Sequence, residues 1–186
     1  SDVGLSGSAA NLYPSWGETS FYTSGMSQSL SLAANTDYRL TFEAAAQAFD
    51  PNADGKLDPV TMVVQVVSGT TQLLGEVPNA SDPDGLAVKL NAISLRGHEY
   101  WYEFRTPQSV TGNVELMFFV NGNNFQQNGQ TQSPAIYLDS VSVQTLTPGN
   151  RNVVTGGAFT GVPIGATSPG WINYNEPNWN ASYKVY

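Results

Sequence analysis

The sequence contains no cysteine, a single histidine and few charged residues, and each of these absences excludes a kind of protein. Without cysteine the chain has no disulfide, no thiolate nucleophile and no cysteine-ligated zinc. The one histidine, His98, cannot build a multi-histidine metal site, so oxygen-liganded hard cations are the metals that remain. Charged residues make up 12% of the 186 residues, which is about half the usual share.

The charges that are present are mostly negative. Fifteen acidic residues against seven basic ones give a formal net charge of −8, so we expect no general affinity for nucleic acid or anionic membranes. No apolar run approaches the ~20 residues needed to cross a bilayer, and no basic segment followed by an apolar one opens the chain at Ser1. We therefore expect a soluble, monomeric chain or the mature part of a secreted, extracellular protein.

Short segments of alternating apolar and polar residues, separated by Gly, Pro, Asn and Ser, predict an all-β fold. The predicted strands are 26–32, 38–48, 60–67, 72–77, 99–106, 114–121, 135–146 and 152–159. This number of strands, with polar outer faces, favours a jelly-roll-like β-sandwich of two antiparallel sheets. The stretch 145–151 is the nearest thing to a linker, but residues 152–186 are too few for an independent domain. We therefore expect one domain over residues 1–186.

Two of the predicted strands offer polar faces that could contribute to a binding groove. Glu43 and Gln47 share one face of 38–48, and Glu115 and Phe119 share one face of 114–121. If these strands are neighbours in one sheet, they form a groove floor. Trp101 alternates with two tyrosines, so either Trp101 or the tyrosine pair faces the core, and the sequence leaves both arrangements open.

The segment 50–58 has the residue spacing of a calcium-binding loop. Oxygen-bearing side chains occupy its first, third, fifth and ninth positions, a glycine is sixth, and the seventh would contribute its carbonyl; these residues are Asp50, Asn52, Asp54, Asp58, Gly55 and Lys56. Ca²⁺ requires six to eight oxygen ligands around such a sharp turn. Three carboxylates this close would repel one another without a cation. The alternative is a metal-free surface turn, because Asp, Asn and Gly favour turns in any case.

Three further segments carry a family resemblance: 27–46 (SQSLSLAANTDYRLTFEAAA), 100–107 (YWYEFRTP) and 135–143 (AIYLDSVSV). They look like the middle and end of β-sandwich carbohydrate-binding modules of families 4, 9, 16 and 22. The calcium-type loop is also similar to those of EF-hands and dockerins over nine positions, although Thr61 stands where an EF-hand has its bidentate acid.

The order of the segments differs from that family. Its modules open with a strand that resembles Asn-Leu-Val-x-Asn-Gly-x-Phe-Glu, followed by Gly-Trp; here the similar segments, 152–160 and Gly170-Trp171, come last. Either 152–186 supplies the first strand and Trp loop of the same domain, or it begins a following tandem module. We favour a circular permutant, in which 145–151 joins the family's original ends and Tyr186 continues into Ser1, because half a module would expose unpaired strand edges.

The resemblance implies a non-catalytic module that binds a neutral polysaccharide such as β-glucan, mannan or xylan and belongs to a larger secreted, glycan-active enzyme. It ranks Trp171 and Phe125 first as sugar-stacking residues. Trp16 and Trp179 also lie in turn-rich loops, and Gln47 and Glu43 could bind hydroxyl groups. It further implies that Asp139 ligates a structural calcium, although Thr160 replaces the family's glutamate.

Two other classes of function compete with this one. A calcium-rigidified adhesion or structural domain of a surface protein fits the acidic, cysteine-free composition equally well. An enzyme is not expected, because the chain has neither the Glu-x-Asp-x-x-Glu pattern of jelly-roll glucanases nor the Arg-x-Glu-Leu-Arg and Gln-x-His patterns of jelly-roll alginate lyases.

Overall fold

The structure is a computed structural model that describes residues 2–4, 9–12, 23–46, 54–56, 60–74, 86–90, 96–121, 136–147, 149, 151–160, 168–175 and 183–185. Within these residues the chain forms strands and no helix. The strands are β1 (Asp2–Gly4), β2 (Ala10–Leu12), β3 (Thr23–Leu30), β4 (Asp37–Ala46), β5 (Val60–Ser68), β6 (Thr71–Leu74), β7 (Leu86–Leu90), β8 (Arg96–Arg105), β9 (Val114–Asn121), β10 (Ile136–Thr145), β11 (Ile172–Asn175) and β12 (Tyr183–Val185). The part of the chain that is described therefore contains no helix able to span a membrane.

The strands form two antiparallel sheets. Sheet A has the order β1-β8-β4-β10-β2-β12, and sheet B has the order β11-β3-β9-β5-β6, with β7 also paired to β5. The prediction of an all-β sandwich of two antiparallel sheets is confirmed.

The core lies between the two sheets and is filled by alternate residues of each strand. On β4 the side chains of Tyr38, Leu40 and Phe42 are buried, because successive side chains of a strand point to opposite faces. Phe42 meets Phe118 of β9 edge to face with ring centroids 5.2 Å apart. Burying each of these rings contributes about 2–3 kcal/mol to stability, so this contact holds sheet A against sheet B.

Most predicted strands are confirmed to within a few residues, and β9 has the predicted bounds. The structure adds β1, β2, β7, β11 and β12, which are only three to five residues long and too short to show a clear alternation. The strand predicted at 152–159 is wrong, because that segment contains bends and turns. Its left-handed Gly156, with φ +63°, is incompatible with a regular strand.

Segment 151–160 nevertheless packs beside β10. β2 pairs with residues 136–138 of that strand, and segment 151–160 bonds to the second half. The Val153 amide donates to the Val143 carbonyl (3.0 Å), and the Val141 amide donates to the Gly157 carbonyl (2.9 Å). A β-carbon at Gly157 would lie 2.0 Å from the Val141 oxygen, so only glycine fits there. Val154 and Phe159 reach the core.

One expectation about strand placement is wrong. β4 lies in sheet A and β9 in sheet B, so Glu43 and Phe119 cannot share a groove floor. β1 and β12 form opposite edges of sheet A, five strand spacings or roughly 24 Å apart. Ser1 and Tyr186 lie outside the described residues, so the join between them in a circular permutant stays a prediction.

Candidate functional site

The sandwich has two different ends. At one end, short connections join the sheets: residues 31–36 lead from β3 to β4, and residues 106–113 lead from β8 to β9. These connections are tightly bonded, since the Thr106 hydroxyl donates to the Ala33 carbonyl (2.7 Å) and the Asn35 amide donates to the Pro107 carbonyl (2.8 Å). We call this the short-turn end.

At the opposite end, five connections cross between the sheets, and we call it the loop end. The connections are 13–22 (β2 to β3), 47–59 (β4 to β5), 91–95 (β7 to β8), 122–135 (β9 to β10) and 176–182 (β11 to β12). The strand registers place their anchoring residues side by side: Asn121 is opposite Thr23, and Ile136 is opposite both Ala46 and Leu12.

Four of the predicted binding residues belong to these five connections. Trp16, Gln47, Phe125 and Trp179 lie outside the described residues, but the strand ends that flank them all meet at the loop end. The sequence placed these residues in separate loops, and the fold brings the anchoring points of those loops together. Their roles in binding stay predictions.

Trp171 does not lie on a binding surface. It is 4% exposed and packs between Phe118 and Phe159, with ring centroids 6.1 Å and 6.0 Å away. Its neighbour Ile172 begins β11 and is 62% exposed, and the alternation along the chain then turns Trp171 inward. The expectation that Trp171 stacks against a sugar ring is wrong, because a ring buried between two others offers no free face.

Glu43 and Asp139 lie next to each other on the outward face of sheet A, one on β4 and one on β10. Asp139 is 5% exposed, and its Oδ1 accepts a hydrogen bond from the Ser140 amide (2.7 Å). Ser140 has φ +52° at an irregularity in the β4–β10 register, which turns that amide toward the carboxylate. Burial raises the pKa of Asp139 to about 6, with a smaller upward contribution from Glu43 that the Ser140 bond opposes.

The predicted calcium loop is described only at its centre. Gly55 adopts φ +79°, the left-handed conformation that the motif requires at its sixth position. Asp54 and Lys56 are exposed, and Asp54 Oδ1 accepts a hydrogen bond from the Lys56 amide (2.8 Å), as in an ordinary Asx turn. Asp50, Asn52 and Asp58 lie outside the described residues. Oxygen donors around a glycine turn suit Ca²⁺. A calcium ion at this loop, and Asp139 as a calcium ligand, stay predictions.

The sequence left the orientation of Trp101 open, and the structure decides it. Tyr100 and Tyr102 pack toward the core against Phe42, with centroids 5.4 Å and 6.2 Å away. Trp101 therefore points outward from sheet A and is 58% exposed. Among aromatic residues of known burial it is the one large ring that is open to solvent.

Comparisons with known proteins give structural similarity without sequence similarity. No protein-family model and no curated protein matches the chain. One similar solved structure is described as "CBM4 structure and function": its TM-score is 0.42 and its identity 16%, and the match covers 64% of this chain and 59% of that one. Another is described as "Family 16 Carbohydrate Binding Module-2", with a TM-score of 0.36, 18% identity and coverage of 65% of this chain and 69% of that one. The matched part thus spans less than two thirds of the first structure's length.

Proposed function

We propose that the protein is a non-catalytic carbohydrate-binding module that holds a neutral polysaccharide, such as a β-glucan, mannan or xylan, at the loop end of the sandwich. The observation that supports this most is that the strand ends that anchor the five crossing connections meet at one end of the sandwich. Four of the predicted binding residues lie in them: three aromatic residues that could stack on pyranose faces and the amide of Gln47, which could bond to hydroxyls.

The charge distribution favours a neutral ligand over an anionic one. The chain carries a formal net charge of −8. Glu43 and Asp139 each lie three residues from the strand ends Ala46 and Ile136, which border the loop end. Carboxylates accept hydrogen bonds from sugar hydroxyls and repel uronates. Pectin and alginate are therefore weaker candidates than uncharged glucans, mannans and xylans.

Calcium has a structural role in this proposal. The segment 47–59, which contains the predicted calcium loop, is one of the five connections at the loop end. A cation held by Asp50, Asn52, Asp54, Asp58 and the Lys56 carbonyl would rigidify that connection and reduce the entropy lost when a glycan binds. The module would act as an appended part of a larger secreted, glycan-active protein.

The proposal is tested by titrating the protein with cellohexaose, mannohexaose and xylohexaose in a calorimeter. Stacking contributes on the order of 1 kcal/mol per ring, so two or three rings give micromolar-to-millimolar affinity. Phe125→Ala and Trp16→Ala should each weaken binding roughly fivefold. Leu146→Ala is the matched control, since Leu146 is an exposed apolar residue at the short-turn end, bonded through its amide to Asp37.

Three results would contradict the proposal. If none of the three hexasaccharides binds, the adhesion or structural function becomes the better one. If binding survives the combined loss of Phe125 and Trp16, the loop end is not the glycan site. The release of new reducing ends from a polysaccharide incubated with the protein would show that it is an enzyme instead.

A further inference from the structure

The outward face of sheet A carries an exposed aromatic ring that takes no part in the core. Trp101 lies in the middle of β8, is 58% exposed, and makes no contribution to the core, which its neighbours Tyr100 and Tyr102 help to fill. Directly opposite it on β4 is Thr41, and opposite Thr41 on β10 is Ser142. The ring therefore stands beside two small hydroxyl side chains, Thr41 on regular β4 and Ser142 at the edge of the irregularity in β10.

The orientation of the indole is fixed from one side. The Arg39 guanidinium carbon lies over the Trp101 ring, 5.0 Å from its centroid. Arg39 is itself held by Glu103, whose Oε1 accepts hydrogen bonds from both Nη2 (2.7 Å) and Nε (3.3 Å). The two hydrogen bonds from Arg39 to Glu103 hold the guanidinium in place, and its cation–π contact then favours one orientation of the Trp101 ring.

A row of carboxylates lies beside Trp101 on the outward face of sheet A. Arg39 is opposite Glu103, so it covers Trp101 from the side nearer the short-turn end. On the other side, the next outward row across the sheet is Glu99, Glu43 and Asp139. Among the described residues no second ring or cation contacts Trp101. An exposed aromatic ring one row from two hydrogen-bond acceptors, Glu43 and Glu99, is thus available to a ligand.

We propose that this surface, formed by Trp101, Thr41, Glu43 and Glu99, is a second saccharide-binding site on the face of sheet A, which adjoins the loop end at Glu43 and does not use the aromatic residues there. The open indole face would stack against the apolar face of one neutral hexose ring. Glu43 and Glu99 would accept hydrogen bonds from its hydroxyl groups. These contacts join an apolar surface to a few polar groups, as small-molecule sites do.

The charges on this face define which saccharides fit. Outward positions of β4, β8 and β10 hold five acids (Asp37, Glu43, Glu99, Glu103 and Asp139) and two arginines (Arg39 and Arg105). Both arginines are neutralised by ion pairs, Arg39 with Glu103 and Arg105 with Asp37. Glu43 and Glu99, directly opposite each other, are left without an ion-pair partner among the described residues. The face therefore rejects uronates and sulfated sugars and accepts uncharged ones.

The test uses the indole N–H signals of the full chain in ¹H–¹⁵N NMR, which report separately on each of the four tryptophans. The Trp101 signal is assigned from its loss in Trp101→Ala, a variant that should fold because the ring is exposed. Titration with cellohexaose, mannohexaose and xylohexaose should shift the Trp101 signal, while buried Trp171 remains still as an internal control. Galacturonic-acid oligomers should not shift it.

Variants then separate this site from the one at the loop end. Phe125→Ala should leave the Trp101 shift intact. In the double variant Glu43→Gln, Glu99→Gln the affinity read from the Trp101 titration should fall roughly fivefold to tenfold. Two charge-assisted hydrogen-bond acceptors there become neutral ones. Leu146→Ala is again the control for loss of exposed apolar surface.

The outcomes distinguish the two proposals. A Trp101 signal that does not move with any neutral hexasaccharide overturns the second site, whether or not calorimetry detects binding at the loop end. A Trp101 shift that persists when Phe125 and Trp16 are both replaced supports the second site, even if the loop end proves not to bind.

Discussion

The side chain of Gln28 pairs with the backbone of Thr155 as a neighbouring strand would. Its Nε2 donates to the Thr155 carbonyl and its Oε1 accepts from the Thr155 amide, both at 2.8 Å. Gln28 points into the sandwich from β3 and is 3% exposed. Residues 127 positions apart are thus joined, and segment 151–160 is tied to sheet B by this pair as well as to β10 of sheet A.

Replacing Gln28 should therefore destabilise the whole domain. In Gln28→Ala both Thr155 groups lose their partner, and leaving such groups unsatisfied costs about 2 kcal/mol. Urea denaturation should show a lower midpoint with an unchanged slope. Ser31→Ala, at an exposed position just after β3, should unfold like the wild type. If the two variants unfold alike, the pairing does not hold segment 151–160 in place.

Replacing Trp171 by alanine should cost more stability than replacing Trp101, because only Trp171 is buried. Trp171→Ala empties a buried site between Phe118 and Phe159 and should cost about 3–5 kcal/mol. Trp101→Ala removes an exposed ring and one cation–π contact, worth roughly 0.5–1 kcal/mol. Chemical denaturation of both variants measures the difference, and equal losses would contradict the placement of either ring.

Asp139 should make stability depend on pH. Its pKa is raised from 3.8 to about 6 in the folded state, so the folded protein binds the proton more tightly than the unfolded chain does. The stabilisation is fully present below pH 3.8 and is lost as the pH rises through about 6. At pH 7 the ionised carboxylate therefore costs on the order of 1–3 kcal/mol relative to its protonated form.

Asp139→Asn tests this, because asparagine keeps the acceptor for the Ser140 amide and cannot ionise. With a chelator present, the melting temperature of the variant minus that of the wild type should increase between pH 4 and pH 7. A constant difference across that range would show that Asp139 does not carry the effect.

Calcium should stabilise the folded protein if segment 50–58 binds it. A ligand that binds only the native state raises the melting temperature by mass action. Calcium should therefore raise it, a chelator should reverse the rise, and Asp54→Ala should lose most of the response. Asp37→Asn, which removes an acid at the short-turn end, should keep the full response. Identical melting of wild type and Asp54→Ala in both conditions would mean that the loop is only a turn.

The sequence predicted the strands well because alternation is a local property. β4 and β9 could be located from their own residues, since an apolar residue at every second position is sufficient to identify a strand with one buried face. A different local signal located the turn at Gly55: a glycine among Asp and Asn residues favours a left-handed conformation. That the chain is a circular permutant stays a prediction.

The sequence could not decide which face is buried where both faces carry aromatic rings. The sequence Tyr100-Trp101-Tyr102 fits either arrangement. The two tyrosines face the core because they pack against Phe42, which lies on another strand. Trp171 was misplaced for a similar reason: a Gly-Trp in a turn resembles a binding loop, and only the rings of Phe118 and Phe159 show that it is part of the core.

What the sequence by itself determined is the all-β class, most of the strands and the residue types available for binding a sugar or a cation. Only the tertiary structure decided that β4 and β9 belong to different sheets, that five connections converge at one end, and that Trp101 lies open beside Glu43 and Glu99. Strand pairing joins residues tens of positions apart through backbone hydrogen bonds that every residue can make. It is therefore set by how all the apolar faces pack together, and no single segment encodes it.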